Sequence, residues 1–155
     1  MGFIIGIDPG VSGAIAVVGN GVRVYDMPTI EIRGKRHVCP SGLRDILVTA
    51  NIEGVEAVVL EHVQGVQGTG ATSAFSFGRS FGVVEGVVAG MTLPLTLVRP
   101  QVWTKALNVS RDKGAHRQAA INLWPQHSDL FSRVKDDGRA DAALLAHWWM
   151  NRRGS

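Results

Sequence analysis

Five acids and two lysines carry the chemistry that this sequence offers. Asp8 closes the apolar run Phe3-Ile4-Ile5-Gly6-Ile7, and Glu61 closes a second such run, Ala57-Val58-Val59-Leu60. Carboxylates are rarely placed in buried-strand contexts unless something positive pairs with them. If the two strands are parallel neighbours, both acids emerge at one edge of the sheet, where they repel each other unless a cation neutralises them. Asp136, Asp137 and Asp141 precede the apolar segment Ala142 to Trp148. On a helix, Asp137 and Asp141 share a face with Leu144, Leu145 and Trp148, the stripe that should pack on the sheet. Helix capping accounts for an acid at 136 or 137, but not for one on the inward stripe at 141. Asp8, Glu61 and Asp141, with Asp137 as a fourth, would form an oxygen-only site suited to Mg²⁺ or Mn²⁺. Two such ions about 4 Å apart can activate a water and stabilise the leaving oxygen of a phosphodiester. Lys105 and Lys113 are placed to contact the scissile phosphate or offset its developing charge.

Other phosphate and nucleophile chemistries are excluded by pattern. The chain has no G-x-x-x-x-G-K-[ST], and Gly6, Gly10 and Gly13 lack the G-x-G-x-x-G spacing of a dinucleotide site. It has no G-x-S-x-G elbow and no paired His/Cys zinc spacing. The five histidines (37, 62, 116, 127 and 147) are scattered, and surface or capping roles are expected for each.

The acids are positioned by a recognisable series of elements. Strands are expected at Phe3 to Ile7, Ala14 to Val18 and Val22 to Met27, with Gly19-Asn20-Gly21 as a hairpin signal, giving an antiparallel meander. Residues 28–40 read as a connection carrying Arg33, Lys35 and Arg36, and Ser41 to about Asn51 reads as a helix. After the strand Ala57 to Glu61 come a glycine-rich loop, a helix from Ser73 to Gly90 and a strand from Leu95 to Val98. Three further helices follow: a short one after Pro100, one from about Gly114 to Leu123, and one from about Gly138 to Met150. The expected architecture is a single α/β domain over residues 1–155, with a mixed five-stranded sheet flanked by helices.

With 155 residues, 45% apolar and 19% charged, the chain suits one globular core. No apolar stretch approaches the ~20 residues of a membrane span. The lone Cys39 excludes an internal disulfide, and the N-terminus lacks a basic region before Asp8, so a reducing, cytoplasmic setting is expected. The net charge of +3 divides unevenly. Residues 1–98 hold 6 Lys/Arg and 8 Asp/Glu, a net of −2, whereas residues 99–155 hold 10 and 5, a net of +5. That asymmetry suits a polyanionic partner. Arg33, Lys35 and Arg36 in the connection, with Lys105, Arg111, Lys113 and Arg117 in the basic third, are the candidate phosphate contacts.

Four segments together resemble the RuvC family of Holliday-junction resolvases, in particular its short phage-type members, within the RNase H-like superfamily. They are Gly6-Ile7-Asp8-Pro9-Gly10 with Ser12-Gly13-Ala14; Leu60-Glu61-His62-Val63; Arg99-Pro100-Gln101-Val102-Trp103-Thr104-Lys105 with Asp112-Lys113; and Gly138-Arg139-Ala140-Asp141-Ala142. They occur in the family's order and span nearly the whole chain. The resemblance implies an RNase H-like fold and a metal-dependent endonuclease, usually a homodimer, that nicks four-way DNA junctions symmetrically. It implies Asp8, Glu61 and Asp141 as metal ligands, and Lys105 and Lys113 near the scissile phosphate. The family's acid pair on the last helix is three residues apart. Here position 138 is glycine, so Asp137 or Asp136 must substitute, and the shared face favours Asp137. The family also places an aromatic just after the fourth-strand Glu, where this chain has Gln64; Phe75, Phe77 and Phe81 are the nearby aromatics. Gly78, Gly82 and Gly86 on the long helix would allow either close approach of a second chain or tight packing on the chain's own sheet. Three other readings compete. One is an RNase H-like nuclease for other branched DNA, flaps or RNA–DNA hybrids, and another is a non-cleaving binder of branched DNA. A nucleotide-binding relative of actin and the sugar kinases shares the Gly-Ile-Asp-x-Gly opening, but would need a second domain.

Overall fold

A computed structural model describes residues 2–63 and 68–152 of the chain. Strand β1 (Phe3–Asp8) is the middle of the main sheet because its side chains are apolar on both faces. It pairs antiparallel with β2 (Ala14–Val18), which pairs antiparallel with β3 (Val22–Asp26). On its other side β1 runs parallel to β6 (Val55–Glu61), and β6 runs parallel to β7 (Leu95–Val98). The order β3-β2-β1-β6-β7 is the mixed five-stranded sheet that the sequence leads one to expect.

Residues 28–40 depart from the expected simple connection. They form a separate two-stranded hairpin, β4 (Thr29–Ile32) and β5 (Lys35–Val38). Its two-residue turn, Arg33-Gly34, has positive φ at both positions (50° and 74°), the backbone that closes a tight hairpin. Both strands are largely exposed and β5 carries charge at successive positions, so the usual alternation of buried and polar residues is missing.

Helices cover both faces of the sheet. On one face, α1 (Pro40–Ile52) and α2 (Ala71–Gly90) pack Leu43, Leu47, Val84 and Val88 against Ile5, Ile7, Ile15 and Val17. On the other lies α5 (Asp137–Asn151), whose Ala142, Ala143, Leu144, Leu145 and Ala146 are fully buried among Ile4, Ala16, Val18 and Val59. The short α3 (Pro100–Ala106) and α4 (Lys113–Leu123) contribute Trp103 and Ala120 to that second core. Two 3₁₀ turns, Pro125–Phe131 and Val134–Asp136, lead into α5.

Alanine-rich α5 sits unusually low on the sheet. A Cβ at Gly6 would lie 2.0 Å from the carbonyl oxygen of Ala142, so only glycine allows the helix backbone to touch β1. Gly138 makes the same allowance one turn earlier, where a Cβ would lie 2.7 Å from the Ser12 carbonyl oxygen. Both clashes are with backbone, which cannot swing aside as a side chain would. Gly6→Ala should therefore destabilise the protein by about 3 kcal/mol. In thermal unfolding that is a Tm lower by roughly 6–12 °C; an unchanged Tm would mean that α5 is not seated on β1 at this depth.

Candidate active site

Parallel pairing of β1 and β6 sets Ile7 beside Leu60, so the next residues along, Asp8 and Glu61, leave the same sheet edge side by side. The close seating of α5 on Gly6 brings Asp141 to that edge from above. One carboxylate oxygen from each of Asp8, Glu61 and Asp141 lies within 4.8 Å of the others. Glu61 and Asp141 are buried, at 6% and 2% exposure.

Each buried carboxylate is held by a donor from the α3–α4 region. The indole Nε1 of Trp103 donates to Glu61 Oε2 at 2.9 Å. Asp112 caps α4 by accepting from the Gly114 amide at 3.0 Å, which starts the helix so that Lys113 and His116 face α5 together. Lys113 Nζ donates to Asp141 Oδ2, and His116 Nδ1 lies 2.7 Å from Asp141 Oδ1. The other ring nitrogen of His116, Nε2, is 2.7 Å from the Ser110 carbonyl oxygen, which can only accept. Nε2 must therefore carry a proton, and a further proton must lie between Nδ1 and Asp141. The Asp141 bond, ahead of the opposing effect of burial, raises the His116 pKa above its usual value. The Trp103 and His116 rings also meet edge to face, with centroids 5.4 Å apart.

Crowding shows in the acids themselves. Burial first, and then the charges of Asp8 and Asp141, push Glu61 up to about 8, against the Trp103 hydrogen bond and Lys113. Burial and Asp141 push Asp8 up to about 6, with Lys113 and the Gly10 amide acting the other way. Lys113 is itself held above the usual lysine value. Burial is the largest single influence and lowers it, but Asp141, by charge and by hydrogen bond, together with Asp8 and Glu61, outweighs that effect.

The remaining expected residues are placed differently. Asp137, expected as a fourth ligand, is turned to Arg117 (Nε to Oδ1, 2.8 Å) and is not in the carboxylate group among the described residues. Asp136 is buried but taken up by Arg133, whose amide and guanidinium both donate to it. Asp137 is instead engaged by a cation on α4. Position 138, where the resemblance calls for an acid, has no room for a side chain beside Ser12 and Gly13. Lys105 is exposed on α3 and has no ion pair among the described residues, whereas Lys113 is in the group. Arg33 and Lys35 lie exposed at the hairpin turn, and Arg36 donates to the Val11 carbonyl oxygen at 2.6 Å, tying the hairpin to the turn after Asp8. Arg111 is exposed just before α4, and Arg117 is half-buried in its pair with Asp137.

Two positioning residues, His116 and Trp103, are not singled out by the sequence. His116 is not a surface or capping histidine but is buried, and its spacing of three from Lys113 on one helix face is the signal that points to it. Among the aromatics, Phe81 packs on His62 and Phe77 is half-buried, while Phe75 at the start of α2 is 74% exposed. Gln64 lies outside the described residues. Added Cβ atoms at Gly78, Gly82 and Gly86 would meet nothing within 4 Å, so this stripe faces outward and does not pack on the chain's own sheet.

No family model and no curated protein matches the chain. Solved structures do. T. thermophilus RuvC in complex with a Holliday junction substrate superposes with a TM-score of 0.66 at 18% identity, covering 99% of this chain and 97% of that one. A second Thermus thermophilus RuvC structure gives 0.60 at 17% identity, with 98% and 96% covered. The yeast mitochondrial Holliday junction resolvase gives 0.57 at 17%, with 97% and 78% covered. The chain thus has the RuvC-type, RNase H-like fold.

The raised carboxyl groups set the sign of a pH effect. Without metal, the folded protein keeps protons on Glu61 up to about pH 8 and on Asp8 up to about pH 6, whereas the unfolded chain loses them near pH 4. On these two groups the folded state binds more protons throughout this window, so stability falls as pH rises from 5 to 8, with the lowered His147 acting the other way on a single proton. The raised His116 acts in the same direction as the two acids. Denaturant unfolding in chelator at pH 5, 6.5 and 8 should show that decline, and Glu61→Gln should flatten it. A wild-type stability that climbs over this range would contradict the crowding.

Proposed function

We propose that this protein is a divalent-metal-dependent endodeoxyribonuclease that resolves four-way DNA junctions, working as a homodimer that nicks two strands. The observation that carries the reading is the gathering of Asp8, Glu61 and Asp141 at one sheet edge, in a fold shared with a RuvC solved on a Holliday junction substrate. Three hard oxygen donors gathered at one point, with Asp8 and Glu61 raised in pKa by burial and then by neighbouring charge, suit Mg²⁺ or Mn²⁺ better than softer metals. Asp8, Glu61 and Asp141 would hold the metal, which when bound supplies activation of water and stabilisation of the leaving oxygen.

The protein's own groups do the positioning. Trp103 fixes the Glu61 carboxylate, and His116 fixes Asp141 through the oxygen that Lys113 does not hold. Preset orientation of this kind raises ligand basicity and limits the reorganisation needed at the reacting centre. Lys113 is the one ammonium in contact with the carboxylate group among the described residues, and its side chain is 55% exposed. It can therefore reach a phosphate placed over the acids and offset the charge that develops there. The hairpin cations Lys35 and Arg36 line a groove of about 770 Å³ with the turn after Asp8 and the start of α2, offering contacts to DNA approaching the edge. Exposed Phe75 stands on the same helix and presents an apolar ring suited to base stacking.

Two nicks on opposite strands need two such centres. The outward glycine stripe of α2 allows a second chain to bring its backbone close, and a bulky residue there would prevent this. Gly82→Leu is accordingly expected to convert a dimer to a monomer in sedimentation analysis while leaving the circular-dichroism spectrum unchanged. A wild-type monomer at all concentrations would exclude the dimer.

The cleavage test sets a mobile four-way junction beside a flap, an RNA–DNA hybrid and linear duplex, with Mg²⁺, Mn²⁺ or chelator. Preferred cutting of the junction, abolished by chelator, is expected. Asp8→Asn, Glu61→Gln and Asp141→Asn should each lower the cleavage rate by about 10³-fold or more, with junction affinity changed by less than a factor of about three. Full activity in Asp8→Asn, or preference for the hybrid, would overturn the reading.

A further inference from the structure

The basic residues outside the carboxylate group are not evenly spread. A cleft of about 350 Å³ lies between the β1–β2 turn, the end of β3, the β4–β5 hairpin and the turn before α5. Ser12, Asp26, Arg36, Arg133, Lys135 and Asp136 line it. Both acids are already satisfied. Asp26 accepts from Arg139 on each oxygen, at 2.8 and 3.0 Å, and Asp136 accepts from the Arg133 amide and guanidinium. Asp26 also feels the charges of Arg133 and Lys135, but the cleft's lining still holds three cations against two carboxylates. Lys135 has no ion pair among the described residues, and Arg36 spends one guanidinium nitrogen on the neutral Val11 carbonyl and keeps its others. The cleft therefore offers an ammonium, most of a guanidinium and the Ser12 hydroxyl as donors, framed by two neutralised ion pairs. That is a donor set suited to phosphate, with an excess of positive charge in the lining.

Its position relative to the acids follows from the strand register. Asp8 pairs with Ala14, and Ala14 pairs with Asp26, so the cleft's Asp26 stands two strands from Asp8 on the same sheet edge. At about 4.8 Å per strand, that is about 10 Å. Along its axis a duplex rises about 3.4 Å per nucleotide of each strand, so a strand whose helix axis runs in this direction would reach the cleft two to three nucleotides from the bond at the carboxylates.

We propose that this cleft holds one backbone phosphate of the cleaved DNA strand, two to three nucleotides from the scissile phosphate, through Arg36, Lys135 and Ser12. The proposal rests on the nuclease reading above and adds a strand direction to it: from the carboxylates across β2 towards β3. It gives the hairpin a purpose that its poor burial does not, since the Arg36–Val11 bond holds a cation at the cleft rather than adding to the core.

The test uses the full chain, a four-way junction, and a set of junctions each carrying one uncharged methylphosphonate linkage at one to five nucleotides from the cut. In the wild type, one linkage two or three nucleotides away should lower kcat/KM by about tenfold, with its neighbours having less effect. In Arg36→Ala/Lys135→Ala that linkage should cost nothing further. The variant's slope of log affinity against log salt should also be shallower by about 0.7–0.9 for each phosphate it no longer neutralises. Lys135→Ala alone serves as a second variant, because an exposed lysine without an ion pair among the described residues is not needed for folding. A metal-induced rise in Tm equal to that of the wild type would show that the carboxylate site is intact in both variants. If the variants keep the wild-type salt slope and stay sensitive at the same linkage, the cleft is not a phosphate site, although the nuclease reading stands. If the wild type itself neither binds nor cuts junctions, the nuclease reading fails and this proposal falls with it.

Discussion

Three carboxylates within 4.8 Å of one another, two of them buried, are the constraint around which the rest of this structure is arranged. Both desolvation and mutual repulsion oppose that grouping, and neither is relieved by apolar packing. The chain offsets the cost with donors that come from outside the strands carrying the acids. Trp103 on α3, and Lys113 and His116 on α4, each reach across to an oxygen that would otherwise be exposed to its neighbours' charge. The short helices after β7 are thus not simply cover for the second core. Their sequence, with Pro100 opening α3 and Asp112 capping α4, fixes where three donors stand. Asp8 and Glu61 remain raised in pKa even so, which means the compensation is incomplete. A site left short of positive charge is one that a divalent cation completes.

The same constraint explains why α5 has the composition it does. To bring Asp141 to the edge, the helix must cross β1 closer than ordinary side chains permit, hence glycine at 6 and 138 and alanine at 140, 142, 143 and 146. Depth at the sheet is obtained by removing side chains rather than by enlarging them. The packing volume given up there is restored farther along by Leu144, Leu145 and the neighbouring Trp103 and Phe131. A substitution that improved local burial in the first turns of α5 would move Asp141 away from Asp8 and Glu61. At Gly6 and Gly138 stability and site geometry go together, since a Cβ there would meet backbone.

What is legible in the sequence follows from this physics. Apolar runs ending abruptly on Asp8 and Glu61 are local signals, as is an Asp on the inward stripe at 141, and parallel pairing of β1 with β6 is enough to bring the first two together. The sheet order and the helices are carried by the same local patterns. Residues that act across the fold have no such signal. His116 and Trp103 look like any polar-helix histidine and core tryptophan until α3 and α4 are folded against α5. Asp137 shares Asp141's face, as the spacing says, but whether it turns to the acids or to Arg117 depends on a cation twenty residues earlier in the chain. The β4–β5 hairpin is hidden from a sequence reading because its strands bury little and its turn has Arg33 where Asn or Asp would announce it.

The charge balance, which by itself suggests a polyanionic partner, changes meaning once the ion pairs are known. The ten cations after residue 98 overstate what is available to a phosphate backbone, because Arg117, Arg133 and Arg139 are each engaged with an aspartate. Two of those pairs, Arg117–Asp137 and Arg133–Asp136, lie within the basic third itself, and the Arg139–Asp26 pair joins it to the acidic part. Of the cations left to meet a polyanion, four stand close to the acids or the cleft: Lys113 over the acids, Lys35 and Arg36 on the hairpin, and Lys135 across the cleft from it. Half of that set comes from the segment whose net charge is negative. A basic face inferred from composition is diffuse and carries no direction. On the proposed reading, a few cations at fixed places beside the carboxylates would give a strand both a line to follow and a point at which to be cut.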